Sequence, residues 1–340
     1  MSEHKRVVCF GELLLRLSSP AHELLLQSPR LETHFGGAEA NVAVSLARFG
    51  NEAAMVSVVP PNALGEAAVA ELRRHGVDTA RVLQRPGRMG LYFLTPGAVL
   101  RPADVLYDRA DSAFALAAPD TIDWERVLEG AAWLHVSGVT PAIGERAAAA
   151  ARRATEAAAA MKVNISFDGN YRERLWTRWN GDQRAILRAL LGKARIAFIN
   201  EKDVALVLGS QFDQAEVMER RRAAATAAFE AFPDLQKIYS TVRNMRSMQD
   251  HDLSAALFTR THELRSRTYA LRGITDRVGA GDAFAAGALH GILANYADHE
   301  TLEFATAAAA LKHSVPGDFN LVSVKDVQQV LTTQEIDIRR

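Results

Sequence analysis

The sequence predicts an α/β fold, in which a doubly wound and mostly parallel sheet is flanked by helices. Short apolar runs rich in β-branched residues alternate with longer helical patterns along the chain. The later runs each lead into a polar or glycine-containing corner and then into a helical pattern. This alternation is typical of successive βα units on a parallel sheet. The composition, with 48% hydrophobic and 24% charged residues, is that of an ordinary globular protein.

The strands of this sheet are predicted from five apolar runs. They are VVCF (7–10), AAMVSVV (53–59), WLHVSG (133–138), KVNISFD (162–168) and ARIAFIN (194–200). Two helices are predicted in the early part of the chain. In the first, Val42, Leu46 and Phe49 fall at helical spacing and Gly50 provides a C-terminal cap. The second covers residues 63–75.

Two segments, 13–35 and 87–109, do not fit the alternation. They contain the strand-like runs LLLRLS and MGLYFL, where a compact βαβ chain would use a loop of a few residues. We expect them to form a small β-sheet lid inserted into one large domain that covers residues 1–340. Such a layer has exposed edges and an apolar face, so we also expect a homodimer that buries the lid.

Composition excludes several partners. Forty Lys and Arg residues balance forty Asp and Glu residues, and this zero net charge argues against a nucleic acid or an anionic membrane as partner. The single cysteine, Cys9, rules out an intrachain disulfide, and no apolar stretch approaches 18 residues. We therefore expect a cytoplasmic protein. The ten histidines contain no HExxH motif, so no zinc site is predicted.

The most informative segment is ITDRVGAGDAFAAGALHGILA, residues 274–294. Gly279, Ala280 and Gly281 form a small-residue corner directly before a helical pattern, where the backbone can approach a ligand. The first amides of a helix carry partial positive charge, so this corner is a candidate phosphate site. Asp282 stands beside it and could accept the proton of a substrate hydroxyl. The alternative is that Asp282 only caps the helix.

Other phosphate-binding motifs are missing from the sequence. There is no Walker A motif, no GxGxxG after the first strand, and no HRD or DFG of the protein kinases. The segment DRVGAGDAFAAG instead resembles the DTxGAGD signature of the PfkB/ribokinase family of carbohydrate kinases. FGGAEANVAVSLARFG (35–50) resembles the glycine-rich substrate corner of that family. The resemblance extends from residues 11–18 to residues 312–323. Within the family, GGAEANVA, LYDRADSA (106–113) and DGNYRERLW (168–176) are most similar to 2-keto-3-deoxygluconate kinases.

The resemblance implies a ribokinase-like fold and ATP-dependent phosphorylation of a sugar-acid hydroxyl. The expected reaction converts 2-keto-3-deoxygluconate to 2-keto-3-deoxy-6-phosphogluconate, with Asp282 as general base and residues 279–281 as anion hole. A magnesium ion that bridges phosphate oxygens is expected with ATP. Asn200 and Asp203 resemble the Asn-x-x-Glu element that lies near magnesium and phosphates in the family. No residue is assigned as a direct metal ligand.

A keto-deoxy sugar acid differs from fructose or ribose by its carboxylate, which arginine can bind with two hydrogen bonds. The resemblance places seven residues at the substrate: Arg109 and Arg172 at the carboxylate, Tyr92 and Tyr107 as hydroxyls and ring surface, and Gly36, Gly37 and Asn41 at the sugar hydroxyls. For Tyr92, packing in the core or lid is the alternative, and for Asn41 it is a helix cap. Arg16, on a predicted lid strand, could also reach the acid but is not assigned to the site.

The nucleotide side departs from the family pattern. Many members carry a VTxGxxG element, whereas residues 237–258 contain no glycine in the corresponding loop, and Arg277 replaces the signature threonine. Thr241 and Arg243 are predicted to contact ATP. The bulky side chains of Arg243, Asn244 and Arg246 are predicted to replace backbone contacts to the phosphates. The alternative is a loop that has lost ATP affinity. His313 is predicted at the base, or as a helix-end histidine.

Other functions therefore remain open. The first alternative is another sugar kinase of the family, a fructokinase or ribokinase, which the pair Arg109 and Arg172 argues against. The second is a non-catalytic sugar-acid-binding or regulatory protein on the same fold. An intact base and anion hole favour the working kinase.

Overall fold

The computed structural model describes residues 6–332, and it confirms the α/β fold with a large, mostly parallel sheet and a separate small sheet. The single-domain prediction covered 1–340, so its two ends lie outside the described residues. The large sheet contains β1 (Arg6–Phe10), β4 (Ala53–Val59), β5 (Asp78–Gln84), β8 (Ala131–Ser137), β9 (Asn164–Asp168), β10 (Ile196–Phe198), β11 (Lys237–Met245), β12 (His251–Phe258), β13 (Glu263–Arg265) and β14 (Tyr269–Leu271). The small sheet contains β2 (Leu14–Ser18), β3 (Glu32–Gly36), β6 (Gly90–Thr95) and β7 (Asp104–Asp108).

Helices connect and cover the strands. They are α1 (Ala38–Arg48), α2 (Ala63–Arg74), α3 (Ala113–Leu116), α4 (Trp124–Leu128), α5 (Glu145–Ala160), α6 (Glu173–Trp176), α7 (Gln183–Leu191), α8 (Glu201–Leu208), α9 (Val217–Ala231), α10 (Ala280–Leu293), α11 (Asp298–Lys312) and α12 (Val324–Thr332). Within residues 6–332, no helix combines the length and apolar character that a membrane crossing requires.

The order of the large sheet is β13-β12-β11-β10-β9-β8-β1-β4-β5, with β14 also paired to β12. All pairs from β11 to β5 are parallel, and the pairs made by β12 are antiparallel. All five predicted strands lie in the parallel part. They read as continuous apolar runs because helices bury both faces, as in β4, where all seven residues are buried.

Two apolar clusters lie on the two faces of the sheet. One contains Phe10, Trp124 and Phe167 together with the buried sides of α5 and α7. The other contains Phe284 of α10 and Phe304 of α11, so these two helices lie on the same face of the sheet as α1. The parallel strands therefore end, at their carboxyl edge, beside the first turns of α1, α8 and α10. That edge is where ligands bind in open α/β sheets.

The small sheet has the order β3-β2-β6-β7, and its four strands fall in the two segments predicted for the lid. Strand β2 pairs in parallel with β6 and antiparallel with β3, so the two segments form one layer. Its inner side carries Leu14, Tyr92 and Leu94, which form a small buried cluster. Its outer side exposes Leu106 on β7, and Leu100, in the loop between β6 and β7, is 92% exposed.

Candidate active site

The carboxylate of Asp282 lies in the first turn of α10 and is 9% exposed. It accepts a hydrogen bond of 2.6 Å from Nδ2 of Asn41, in the first turn of α1. Burial raises the pKa of Asp282 to about 7, although the Asn41 hydrogen bond and the charge of Arg172 act in the opposite direction. A carboxyl group with a pKa near neutrality is suited to accept a proton.

Neither member of this pair caps its helix. The N-cap positions are held by Gly279 for α10 and by Gly37 for α1, and neither helix start has a side-chain cap. The capping alternative for Asp282 and Asn41 is therefore wrong. The Oδ1 atom of Asn41 is buried and has no hydrogen-bond partner among residues 6–332, so it is available to a ligand.

The corner before Asp282 combines open space with free amides. Gly279 has φ 79°, and a Cβ there would lie 2.0 Å from the carbonyl oxygen of Asp318. At Gly281, by contrast, nothing lies within 4 Å of the position of a Cβ. In the described chain the N–H groups of Gly281 and Asp282 have no backbone acceptor, while that of Ala280 bonds to the preceding turn. These two amides and the open space next to the carboxylate fit the predicted anion site, and its binding of a phosphate stays a prediction.

Two further carboxylates stand near Asp282. Asp168 lies at the end of β9, where desolvation and the charges of Asp282 and Asp203 raise its pKa well above the usual range. Arg172, exposed in the segment after β9, lowers the pKa of all three carboxyl groups. Asp168 is a candidate that sequence reasoning missed, although it lies in the motif DGNYRERLW. The raised pKa that marks Asp168 depends in part on Asp282, which lies more than a hundred residues away in the sequence.

Asn200 and Asp203 form a capping box at the start of α8. The Oδ1 of Asn200 accepts the N–H of Lys202 at 2.7 Å, and the carboxylate of Asp203 accepts the N–H of Asn200 at 2.8 Å. Burial raises the pKa of Asp203 to about 6. A Cβ on Gly169 would lie 2.9 Å from Cγ of Asp203, so this carboxyl group packs against the turn that follows Asp168. The role near magnesium stays a prediction for both residues.

The two arginines assigned to the substrate carboxylate differ in their surroundings. Arg109, after β7, is 4% exposed, and its Nε forms a 2.6 Å ion pair with Glu12. Ser112 also donates to Glu12, which fixes this carboxylate. The two Nη atoms of Arg109 donate to no described residue, so this edge of the guanidinium group is free. Arg172 is exposed, and in the described chain it makes no ion pair within 4.0 Å.

Tyr92 and Tyr107 are neighbours on β6 and β7 of the lid. The hydroxyl of Tyr92 donates to Oδ2 of Asp318 at 2.5 Å and is buried, which matches the packing alternative for this residue. Arg16, on β2, is also buried, and it pairs with Asp276 at 2.7 Å and with Asp318 at 3.1 Å. Arg16 is therefore held by protein carboxylates. Tyr107 is half-buried, and its contact with a sugar stays a prediction.

The two glycines before α1 serve close packing. A Cβ on Gly36 would lie 2.2 Å from Oδ2 of Asp318, and a Cβ on Gly37 would lie 2.2 Å from the carbonyl oxygen of Glu12. Gly37 also has φ 138°. Gly36 thus lets the end of β3 approach Asp318, and Gly37 lets the start of α1 approach the backbone at Glu12. Their hydrogen bonds to a sugar stay a prediction.

Two arginines without carboxylate partners lie on the side of the site that is predicted to bind the nucleotide. Arg243, on β11, and Arg277, which precedes the anion site, form no ion pair among the described residues. Partial desolvation and repulsion from Arg277 lower the pKa of Arg243 to about 10. Both charges also lower the pKa of the buried His251 on β12, after the larger effect of desolvation. Two facing cations with no counter-ion are suited to an anion such as a polyphosphate.

Thr241 and His313 flank these arginines. The carbonyl oxygen of Thr241 accepts a 2.8 Å hydrogen bond from Arg221. The half-buried side chain of Thr241 makes no hydrogen bond to another described residue. His313 follows the last residue of α11, and its Nδ1–H donates to the carbonyl oxygen of Ala309 at 2.7 Å. Burial lowers the pKa of His313 to about 4. It is thus a neutral helix-end histidine, and its contact with a base stays a prediction.

Comparison with known proteins agrees with this geometry. The profile of the pfkB family carbohydrate kinases matches residues 4–231 and 254–323. The chain belongs to this family. The unmatched stretch between the two matched segments contains all of β11 and the glycine-free loop, the part in which the sequence departs from the family pattern.

This pfkB family member is similar to kinases of keto-deoxy sugar acids. It is 32% identical to a 2-dehydro-3-deoxygalactonokinase of Haloferax volcanii, over 98% of this chain and 99% of the relative. It is 26% identical to a 2-dehydro-3-deoxygluconokinase of Bacillus subtilis, over 92% and 91%. The crystal structure of the 2-dehydro-3-deoxygluconokinase of Thermotoga maritima matches with a TM-score of 0.92 and 36% identity, over 97% of this chain and 100% of that one. The chain is a carbohydrate kinase of the pfkB family.

Proposed function

We propose that the protein phosphorylates the primary hydroxyl of 2-keto-3-deoxygluconate with ATP and releases 2-keto-3-deoxy-6-phosphogluconate and ADP. The observation that carries the proposal is the buried pair of Asn41 and Asp282 beside the free amides of Gly281 and Asp282. A base and an anion site lie side by side at one helix start. This is the arrangement that phosphoryl transfer to a hydroxyl needs.

Asp282 acts as the general base. Its carboxylate accepts the hydroxyl proton as the hydroxyl oxygen forms a bond to the γ-phosphorus, and the bond from that phosphorus to the ADP oxygen breaks. Asn41 holds the carboxylate through Nδ2, and its free Oδ1 can accept a hydrogen bond from the sugar. The amides of the corner hold the transferring phosphoryl group, where preorganised donors stabilise developing negative charge.

Arg172 and Arg109 give the site its preference for an acid. Arg172 is exposed and its charge reaches the carboxyl groups around Asp282, so it can meet a substrate carboxylate without first breaking an ion pair. Arg109 keeps its Nη atoms free while Glu12 fixes its Nε. Fructose and ribose offer no negative charge to these guanidinium groups. This difference favours a sugar acid over the neutral sugars.

The phosphates of ATP are bound by Arg243 and Arg277. Their lack of carboxylate partners supports this role, as does their mutual repulsion, which an anion between them would relieve. Thr241 and His313 border the same region. Side-chain cations thus replace the glycine-rich loop that many family members use.

A magnesium ion fits the carboxylates of Asp168 and Asp203. Magnesium prefers oxygen ligands and usually keeps several waters, with one or two carboxylates and the substrate phosphates as partners. Desolvation, followed by the charges of Asp282 and Asp203, raises the pKa of Asp168, so a cation nearby would be favourable. In residues 6–332, no group of three or more His, Cys, Asp or Glu residues could hold a metal ion, so any metal contact is shared with phosphates and water. When bound, magnesium neutralises phosphate charge.

The protein is proposed to work in the cytoplasm as a homodimer joined through its lids. Cys9 is free and buried, which suits a reducing compartment. The outer side of the lid exposes Val99, Leu100 and Leu106, with 72%, 92% and 55% of their surfaces accessible. An apolar surface of this kind is covered favourably by a second copy.

The test is ADP release by the purified protein with a panel of sugars: 2-keto-3-deoxygluconate, 2-keto-3-deoxygalactonate, gluconate, fructose and ribose. We expect the highest kcat/KM with a keto-deoxy acid and dependence on magnesium. Preference for fructose or ribose would replace the proposed substrate with a neutral sugar. Absence of ADP release with every sugar would reject the kinase activity of this chain.

A further inference from the structure

Lys312, the last residue of α11, lies directly behind the anion site. Its side chain is 0% exposed. A Cβ on Gly279, the residue that caps α10, would lie 3.4 Å from Cε of Lys312. The end of this lysine therefore packs against the backbone of the corner whose opposite side faces open space at Gly281.

The ammonium group of Lys312 is not neutralised by direct contact. Its Nζ donates to the carbonyl oxygen of Val315 at 2.8 Å, and among the described residues it has no carboxylate within 4.0 Å. The nearby carboxylates of Asp276 and Asp318 are already paired with Arg16 at 2.7 and 3.1 Å. Burial of an ammonium group that has only a carbonyl partner is costly.

A purely local role explains this position poorly. A lysine in the last turn of a helix interacts favourably with the helix dipole, but an exposed side chain does so without the cost of burial. Burial lowers the pKa of Lys312, while the charges of Asp276, Asp318 and Asp282 raise it. Asp282 makes the smallest of these three contributions, and it is the packing of Cε beside Gly279 that places the lysine next to the corner.

We propose that Lys312 is a positioning residue for phosphoryl transfer, a fixed cation that supports the Gly279 corner from behind and adds positive potential where negative charge develops on the phosphoryl group. This role rests on the proposed phosphoryl transfer at the corner. The gain arises in the transition state, because the transferring group carries its charge at the corner at that point. The residue therefore influences kcat more than the KM of either substrate.

The test compares Lys312→Met, which keeps the length but removes the charge, with Lys325→Met, which removes an exposed lysine from α12. We expect Lys312→Met to lower kcat at least about tenfold, below the loss for a direct oxyanion donor. We expect the KM values for the sugar acid and ATP to stay within about twofold, since ground-state contacts are unchanged. Lys325→Met should match the wild type in all three constants.

A second variant separates charge from packing. Lys312→Ala leaves a cavity behind the corner, and added methylammonium chloride should restore part of its kcat, whereas tetramethylammonium chloride, which is too large for the cavity, should not. A wild-type kcat in Lys312→Met would overturn the proposal. So would a loss of stability in Lys312→Ala with no rescue of kcat by methylammonium. Absence of turnover in the wild type would instead reject the proposed function itself, together with this role.

Discussion

In the proposed mechanism, the Asn41 hydrogen bond sets the pH at which Asp282 becomes an active base. Replacement of Asn41 by Ala removes the 2.6 Å bond that favours the ionised carboxylate. A hydrogen bond to a charged group contributes about 1.5–3 kcal/mol, and one pKa unit corresponds to about 1.36 kcal/mol. Loss of the bond should therefore raise the pKa of Asp282 from about 7 by about one to two units.

The sign of the pH effect follows from the role of the base. Asp282 must be deprotonated to accept the hydroxyl proton, so activity falls as pH drops through its pKa. With the pKa at about 7, we expect about half of the wild-type molecules to carry the ionised carboxylate at neutral pH. After a rise of one unit, only about one tenth would be active at that pH. The acid limb of kcat should thus move to higher pH in Asn41→Ala.

The assay is the pH dependence of kcat, measured as ADP release at saturating sugar acid and ATP. The pH midpoint of kcat is compared rather than the maximal kcat, because Asn41 is also proposed to bind the sugar. Ser45→Ala is the matched control, since Ser45 is buried in the same helix one turn later and makes no bond to Asp282. An acid limb that stays at the wild-type pH in Asn41→Ala would refute the reasoning.

Further predictions concern the sugar-acid side of the site, its ATP side, and the glycine corner at residues 279–281. Arg172→Ala should raise the KM for the sugar acid more than the KM for ATP, and Arg243→Ala should do the reverse; equal changes in both constants would contradict these assignments. Gly279→Ala should lower the Tm, because φ 79° and the 2.0 Å approach of Asp318 leave no room for a Cβ. Gly281→Ala should keep the wild-type Tm but lower kcat, because its methyl group would point into the open phosphate space. A normal kcat in Gly281→Ala would place the phosphoryl group elsewhere.

Local patterns predicted the sheet and the corner well. The parallel strands were predictable because their burial on both faces leaves continuous apolar runs, as in β4. The two lid segments were predictable because they interrupt the alternation. Strand β5, at the edge of the large sheet, was missed because its sequence DTARVLQ mixes polar and apolar residues. The short strands β13 and β14 lack a pattern of their own and form only by pairing with β12.

Contacts between residues that are far apart in the sequence limit how much of the site can be predicted from the sequence. Asn41 and Asp282 are 241 positions apart, and only the fold brings the amide to the carboxylate. From the sequence, Arg16 is only an arginine on a predicted lid strand. No local sequence pattern indicates that Asp276 and Asp318 pair with it. The raised pKa of Asp168 comes from its burial in the fold and from the carboxylates of Asp282 and Asp203 in other segments. Sequence reasoning therefore identified residues with intrinsic chemistry more readily than residues that acquire it from neighbours.

The central claim is that Asp282 is the base of a sugar-acid kinase. Its most direct test is kcat for ADP release with 2-keto-3-deoxygluconate, measured for the wild type and for Asp282→Asn, which keeps the shape of the side chain. We predict turnover by the wild type and a kcat at least about a hundredfold lower in the variant, as the loss of a general base implies. A kcat near the wild-type value in Asp282→Asn would contradict the account.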